Sequence, residues 1–242
     1  MTDDPRPAPA RRLRFDRVIS LSHVLSPGIP RWPGDPEVAV DVVTSHADGG
    51  YLLHRISLGE HSGTHVDAPR AFDPAGAPVD AIPPDSLVAP AVVVDVRQQA
   101  AADPDYVLTR MDLDAWEEAH GRVAPGALVL LWSGWAERWE DPAAFLGTDA
   151  AGVLHFPGFG AEAARWLVAE RRIGGLGTDT HGVDPGPSRT WDAARVVLAA
   201  SGLVIENLAR LDQLPPVGAT LVVGLLRIAG GGGSPATVLA LV

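Results

Sequence analysis

The chain contains no cysteine and no lysine. Without cysteine there are no disulfides, no thiolate metal ligands and no cysteine nucleophile, and a reducing cytoplasm is the expected compartment. All 19 basic residues are arginine, a usage that tracks base composition and carries no mechanism. The formal net charge of −11 argues against nucleic-acid binding, which needs clustered positive charge. No apolar run approaches the roughly 20 residues that span a bilayer, so no membrane partner is expected. The stretch from Met1 to Arg12 is rich in Pro, Ala and Arg but lacks an apolar h-region, so it does not read as a secretory signal. A disordered lead-in over residues 1–14 and one domain over residues 15–242 are expected, with strand structure from near Phe15.

What is present is an apolar fraction of 46%, spread along the 242 residues and sufficient for a sizeable core. Apolar, β-branched runs predict buried strands at Val38–Thr44, Ala91–Val96, Ala127–Trp132, Leu203–Ile205, Leu221–Ile228 and Val238–Val242. Helices are predicted after Thr109, over Gly160–Arg172 and over Thr190–Ala200. Strands mixed with helices predict an α/β fold. Trp132, Trp135 and Trp139 are spaced as a helical stripe that packs against core or a subunit interface.

The segment His61-Ser-Gly-Thr-His65-Val-Asp67-Ala-Pro69 is the most informative. In an extended segment, residues of equal parity share a face. His61, His65 and Asp67 would then point together, and Gly63 would leave room for an ion. Two imidazole nitrogens and a carboxylate oxygen suit one divalent cation, Zn2+ or Mn2+, with positions left for water or substrate. The alternative is histidines that cap turns or pack in a half-buried strand.

Pro and Gly concentrate at Pro27–Pro36, Pro69–Pro84 and Asp179–Pro187, which read as loops. The third follows a short strand, Ile173–Leu176, and carries His181, Asp179 and Asp184. His181 is a candidate for proton transfer; the aspartates equally fit local turns that bond backbone amides. Gly230–Gly233 reads as a flexible turn between two strands, with the alternative that its amides meet an anion. His46, His54, His120 and His155 sit in no pattern.

The central motif resembles H-x-G-T-H-x-D-x-P-x-H of the kynurenine formamidase/putative cyclase family. Ser20-Leu-Ser-His23 with Trp32-Pro-Gly-Asp35, and Ile205-Glu206-Asn207-Leu208, resemble further family segments in the expected order. The resemblance implies a swivelling β/β/α-type single domain with a mixed sheet, assembled as a homodimer or homotetramer and acting on a small molecule. It implies His61, His65, Asp67 and Glu206 as metal ligands. Trp32 and His23 are the residues expected to border substrate. Two positions depart from the family. Ala71 stands where a general acid/base histidine is expected, and Ala194 where a second metal's histidine is expected. One ion rather than two is therefore expected, with His181 or Glu206 as the proton carrier. The expected activity is hydrolysis at the carbonyl of a small aromatic or cyclic amide, lactam or lactone. The alternatives are a polyketide-type cyclase or dehydratase and a noncatalytic small-molecule-binding member.

Overall fold

A computed structural model describes residues 13–242. The expected lead-in lies almost wholly outside the described residues; Leu13 and Arg14 carry no regular structure. The strands are β1 (Val18–Ser20), β2 (Ala39–Thr44), β3 (Leu53–Ser57), β4 (His65–Asp67), β5 (Val88–Asp95), β6 (Val107–Leu108), β7 (Leu128–Trp132), β8 (Gly158–Phe159), β9 (Gly175–Thr178), β10 (Leu203–Glu206), β11 (Ala219–Leu225) and β12 (Gly233–Leu241). The helices are α1 (His46–Gly49), α2 (Arg97–Ala102), α3 (Arg110–His120), α4 (Pro142–Leu146), α5 (Ala161–Trp166) and α6 (Asp192–Ala199).

A mixed sheet of order β1-β12-β11-β5-β7-β9-β10-β4 closes on itself, because β4 pairs with both β10 and β12. The result is a barrel-like α/β single domain, as expected. The side-chain period of two explains its layers. Leu128 and Leu130 of β7 enter one apolar cluster with Ala91 and Val93 of β5. Val129 and Leu131 enter another with Val92 and Val94, packed by α3, α5 and α6. Both faces of these parallel strands are buried, so their sequences read as unbroken apolar runs.

Thr109 caps α3 through a capping box with Asp112, as its position predicted. The helix expected over Gly160–Arg172 starts after Gly160, and its last turn relaxes to a π turn over Leu167–Arg171. Three expectations are corrected. The run at Val38–Thr44 is a strand but not a buried one: among the described residues β2 pairs only with β3, and Val42, Val43 and Ile56 are exposed. The tryptophans form no helical stripe. Trp132 ends β7 beneath the Arg97 guanidinium, whereas Trp135 and Trp139 pack with Phe145 and Phe156 in a third cluster. The C-terminal strand begins at Gly233, earlier than predicted, because Gly233–Pro235 pair with β4 to close the barrel.

Candidate active site

The motif is only partly a strand. β4 holds His65 and Asp67 on one face, but His61 lies in the preceding turn, where Gly63 adopts φ +65°. A left-handed φ favours glycine for steric reasons. The expected open face at Gly63 is not there, since a Cβ would meet Leu25 at 2.7 Å. Instead the Gly63 carbonyl accepts from the Asn207 amide at 2.8 Å and lies 2.9 Å from His65 Nδ1. A carbonyl only accepts, so Nδ1 carries a ring proton and Nε2 is the nitrogen turned toward the carboxylates.

His65 Nε2 stands 3.6 Å from Asp67 Oδ1 and 3.3 Å from Glu206 Oε2, and His61 Nδ1 stands 2.7 Å from Asp67 Oδ1. Donor atoms of His61, His65 and Asp67 all lie within 4.8 Å of one another. An imidazole nitrogen facing two carboxylates calls for a positive charge between them, either a proton or a metal ion. Burial lowers the proton affinity of both histidines, but Asp67 and Glu206 outweigh it. His61 is raised to about 9, and His65 is raised by Glu206 and then Asp67. Nitrogen, nitrogen and oxygen donors in this field fit a divalent transition metal.

Glu206 reaches this cluster through strand register, as the cross-strand partner of His65. Glu206 is buried, and among the described residues no arginine pairs with it; His65 is its neighbour. Ala194 supplies no ligand. It is buried in the core cluster beneath α6, and its N–H donates to Asp184 at 2.9 Å.

His181 is buried, and neither ring nitrogen meets a protein partner among the described residues. Its ring lies 6.3 Å from His65 and 5.6 Å edge-on from Trp32. Burial, and then the charge of His65, push its pKa down to about 3, so the ring is neutral. The loop carrying it is pinned on two sides. Asn207 N–H donates to the Thr180 carbonyl at 3.0 Å. The Asp179 carboxylate accepts from Ser133 N–H, the Ser133 hydroxyl at 2.6 Å and Trp135 N–H at 3.0 Å. Asp184 does bond backbone amides, but those of Ala193 and Ala194 at the start of α6 rather than its own turn. Gly232 and Gly233 do present amides to an anion, and that anion is the Glu60 carboxylate.

These groups line one cavity of about 240 Å3. His61, His65, Asp67 and Glu206 line it, with His181, Asp184 and Asp35. Trp32, Phe72, Phe156 and Trp191 supply aromatic walls, and Ala71 and Ser188 are also in the lining. Trp32 is therefore placed where the sequence reading put it. His23 is not: its backbone N–H donates to Thr64 Oγ1, and its ring stacks on Trp139 at 3.8 Å, outside this cavity. Sequence reasoning missed Phe72, Phe156 and Trp191, which come from separate loops and form no local pattern. His155, also without a sequence signal, forms an ion pair with Asp105 at 2.8 Å, just before Phe156.

Comparison with known proteins places this geometry. The family model described as putative cyclase matches residues 19–185. The isatin hydrolase of Roseibium aggregatum is 34% identical, covering 93% of this chain and 91% of that protein. The structure of isatin hydrolase A from Ralstonia solanacearum superposes with a TM-score of 0.87 at 38% identity, over 93% of this chain and 92% of the other. A solved potential metal-dependent hydrolase with cyclase activity gives 0.69 at 25% identity, over 93% and 96%. Catalytic relatives along nearly the whole length make this chain an enzyme and set aside the noncatalytic alternative. The chain belongs to the putative cyclase family.

Proposed function

We propose that the protein hydrolyses the amide of a small ring fused to an aromatic system, isatin being the reference substrate. The observation that carries this reading is the single cavity in which a His/His/Asp cluster with Glu206 faces aromatic walls. His61, His65 and Asp67 would hold one Mn2+ or Zn2+, with Glu206 beside them. When bound, such an ion supplies a Lewis acid and lowers the pKa of water toward about 7.

The chain's own residues supply the rest. Two aromatic pairs, Trp32 with Phe156 and Phe72 with Trp191, offer apolar faces to a flat ring and exclude water from it. Glu206 accepts the proton of the attacking water on its carboxylate and returns it to the leaving nitrogen. Neutral His181 contributes a hydrogen bond from a ring nitrogen to the substrate. A buried polar group without a partner costs about 1–3 kcal/mol, and a substrate polar atom in the cavity would relieve that cost. The exposed apolar residues of β2 and β3 support assembly as a homodimer or homotetramer. The absence of cysteine is in keeping with a cytoplasmic setting.

One observation favours a second reading. Ala71 puts a methyl group on the cavity wall where the family motif has an imidazole. Losing that proton carrier hurts attack by water more than enolisation of an acidic diketone, so ring closure or dehydration is the rival chemistry. Product mass separates the two. The protein loaded with Mn2+ or Zn2+ should open isatin with the gain of one water. An ion-loaded protein that leaves isatin intact, yet cyclises or dehydrates a diketone, would overturn the hydrolase reading.

A further inference from the structure

Two aromatic walls of the cavity come from loops with no sequence relation. Phe72 sits on the turn Pro69–Ala71 that follows the metal motif, and Trp191 immediately precedes α6. Their rings lie 5.9 Å apart, inclined at 42°. Trp191 holds φ 49°, a left-handed conformation that a bulky side chain rarely adopts and that the surrounding structure must enforce.

One side chain ties the two loops. Arg195 Nη1 donates to the Phe72 carbonyl at 3.1 Å and Nε donates to the Thr190 carbonyl at 3.0 Å. Its guanidinium lies over the Phe72 ring, 5.0 Å from the centroid. The turn's own hydrogen bonds from Phe72 and Asp73 are local, both to Pro69. Among the described residues, the hydrogen bond reaching Phe72 from elsewhere in the chain is the one from Arg195. Arg195 itself is exposed, and α6 is anchored without it by buried Ala193, Ala194, Val197 and Leu198 and by Asp184. Its two hydrogen bonds and its guanidinium over Phe72 therefore act on the cavity wall, not on the docking of the helix.

We propose that Arg195 is a positioning residue that clasps the Phe72 turn to Trp191 and so sets the spacing of the aromatic wall that receives a flat substrate. Arg195 does not touch the reacting atoms. It governs how tightly the ring is held, and so KM rather than kcat. The proposal rests on the aromatic-substrate reading above.

Arg195→Ala and Arg195→Lys in the Mn2+-loaded enzyme test it. In Arg195→Ala, KM for isatin should rise about tenfold, equivalent to about 1.4 kcal/mol, while kcat stays within about twofold and the unfolding midpoint is unchanged. Arg195→Lys should fall between, because one ammonium cannot reproduce a planar fork on two carbonyls. A fall in kcat at constant KM, or an unchanged KM, would overturn the clasp. Calorimetric binding of phthalimide reads the same wall without turnover. If the wild type fails on isatin but Arg195→Ala still binds phthalimide about tenfold more weakly, the hydrolase reading fails and the clasp stands. Equal phthalimide affinity, or none in the wild type, sinks the clasp.

Discussion

His65 and Glu206, 141 positions apart in the sequence, are register partners across the β4–β10 pair, with Nε2 and Oε2 3.3 Å apart. The pairing that closes the barrel is thus the pairing that assembles the candidate metal cluster. β12 completes it from the other edge, where Gly233 stands opposite Asp67. A metal ligand set built on a seam inherits the rigidity of the sheet, which suits a site that must hold its donors in place without the ion.

Gly233 gives the first prediction. A Cβ there would meet the His61 ring at 2.7 Å and the Val66 carbonyl at 2.9 Å. The ring is the part free to move, so Gly233→Ala should swing His61 away from Asp67. Mn2+ affinity measured by titration should fall about 10- to 100-fold, the scale seen when a ligand loses its support. His65→Ala, which removes a ligand outright, should abolish stoichiometric metal. Full metal content in the His65 variant would refute the assignment of the cluster.

Ala71→His restores an imidazole to the cavity wall. A placed acid/base group is typically worth about 10²–10⁴-fold, and an introduced one should recover at least about tenfold in kcat/KM for isatin. The check is steady-state kinetics on the metal-loaded variant. An unchanged rate with unchanged KM would show that position 71 does not face the reacting atoms.

Asp179 predicts a pH dependence. Burial raises its pKa from 3.8 to about 6, against the opposing hydrogen bonds from Ser133 and Trp135. Between those values the native state holds a proton that the unfolded chain has released. Stability therefore falls as pH rises through that window, by on the order of 3 kcal/mol in all. Asp179→Asn does not titrate, and its amide NH2 confronts a backbone N–H, which costs about 1–3 kcal/mol. The variant should be the less stable protein at pH 4.5, and the gap should narrow by pH 7. Urea unfolding at both pH values measures it; a gap independent of pH would mean that Asp179 does not titrate in this range.

Much of the site was legible because its chemistry is local. His61, His65 and Asp67 lie within one turn and one short strand, and a candidate triplet so close in sequence needs little tertiary help. His181 was readable from its glycine-flanked loop after a strand, and Trp32 and Glu206 from resemblance. The differences have separate causes. Parity requires an extended chain from 61 to 67, but the left-handed Gly63 bends it, and only His65 and Asp67 obey the strand period. His23 lies in a segment that resembles the family's, yet its ring stacks on Trp139 instead of lining the cavity.

Composition and pattern by themselves determined the α/β class, most of the central strands and the three motif side chains that stand as candidate ligands, because burial of alternating side chains and donor chemistry are properties of short segments. The tertiary structure alone decided that β4 closes a barrel, that Ala194 lies in the core, and that Phe72, Phe156 and Trp191 line one cavity with the cluster. Those outcomes depend on contacts between segments far apart in the chain. Which of them form is settled by the joint packing of the whole sheet, and no local window of sequence carries that information.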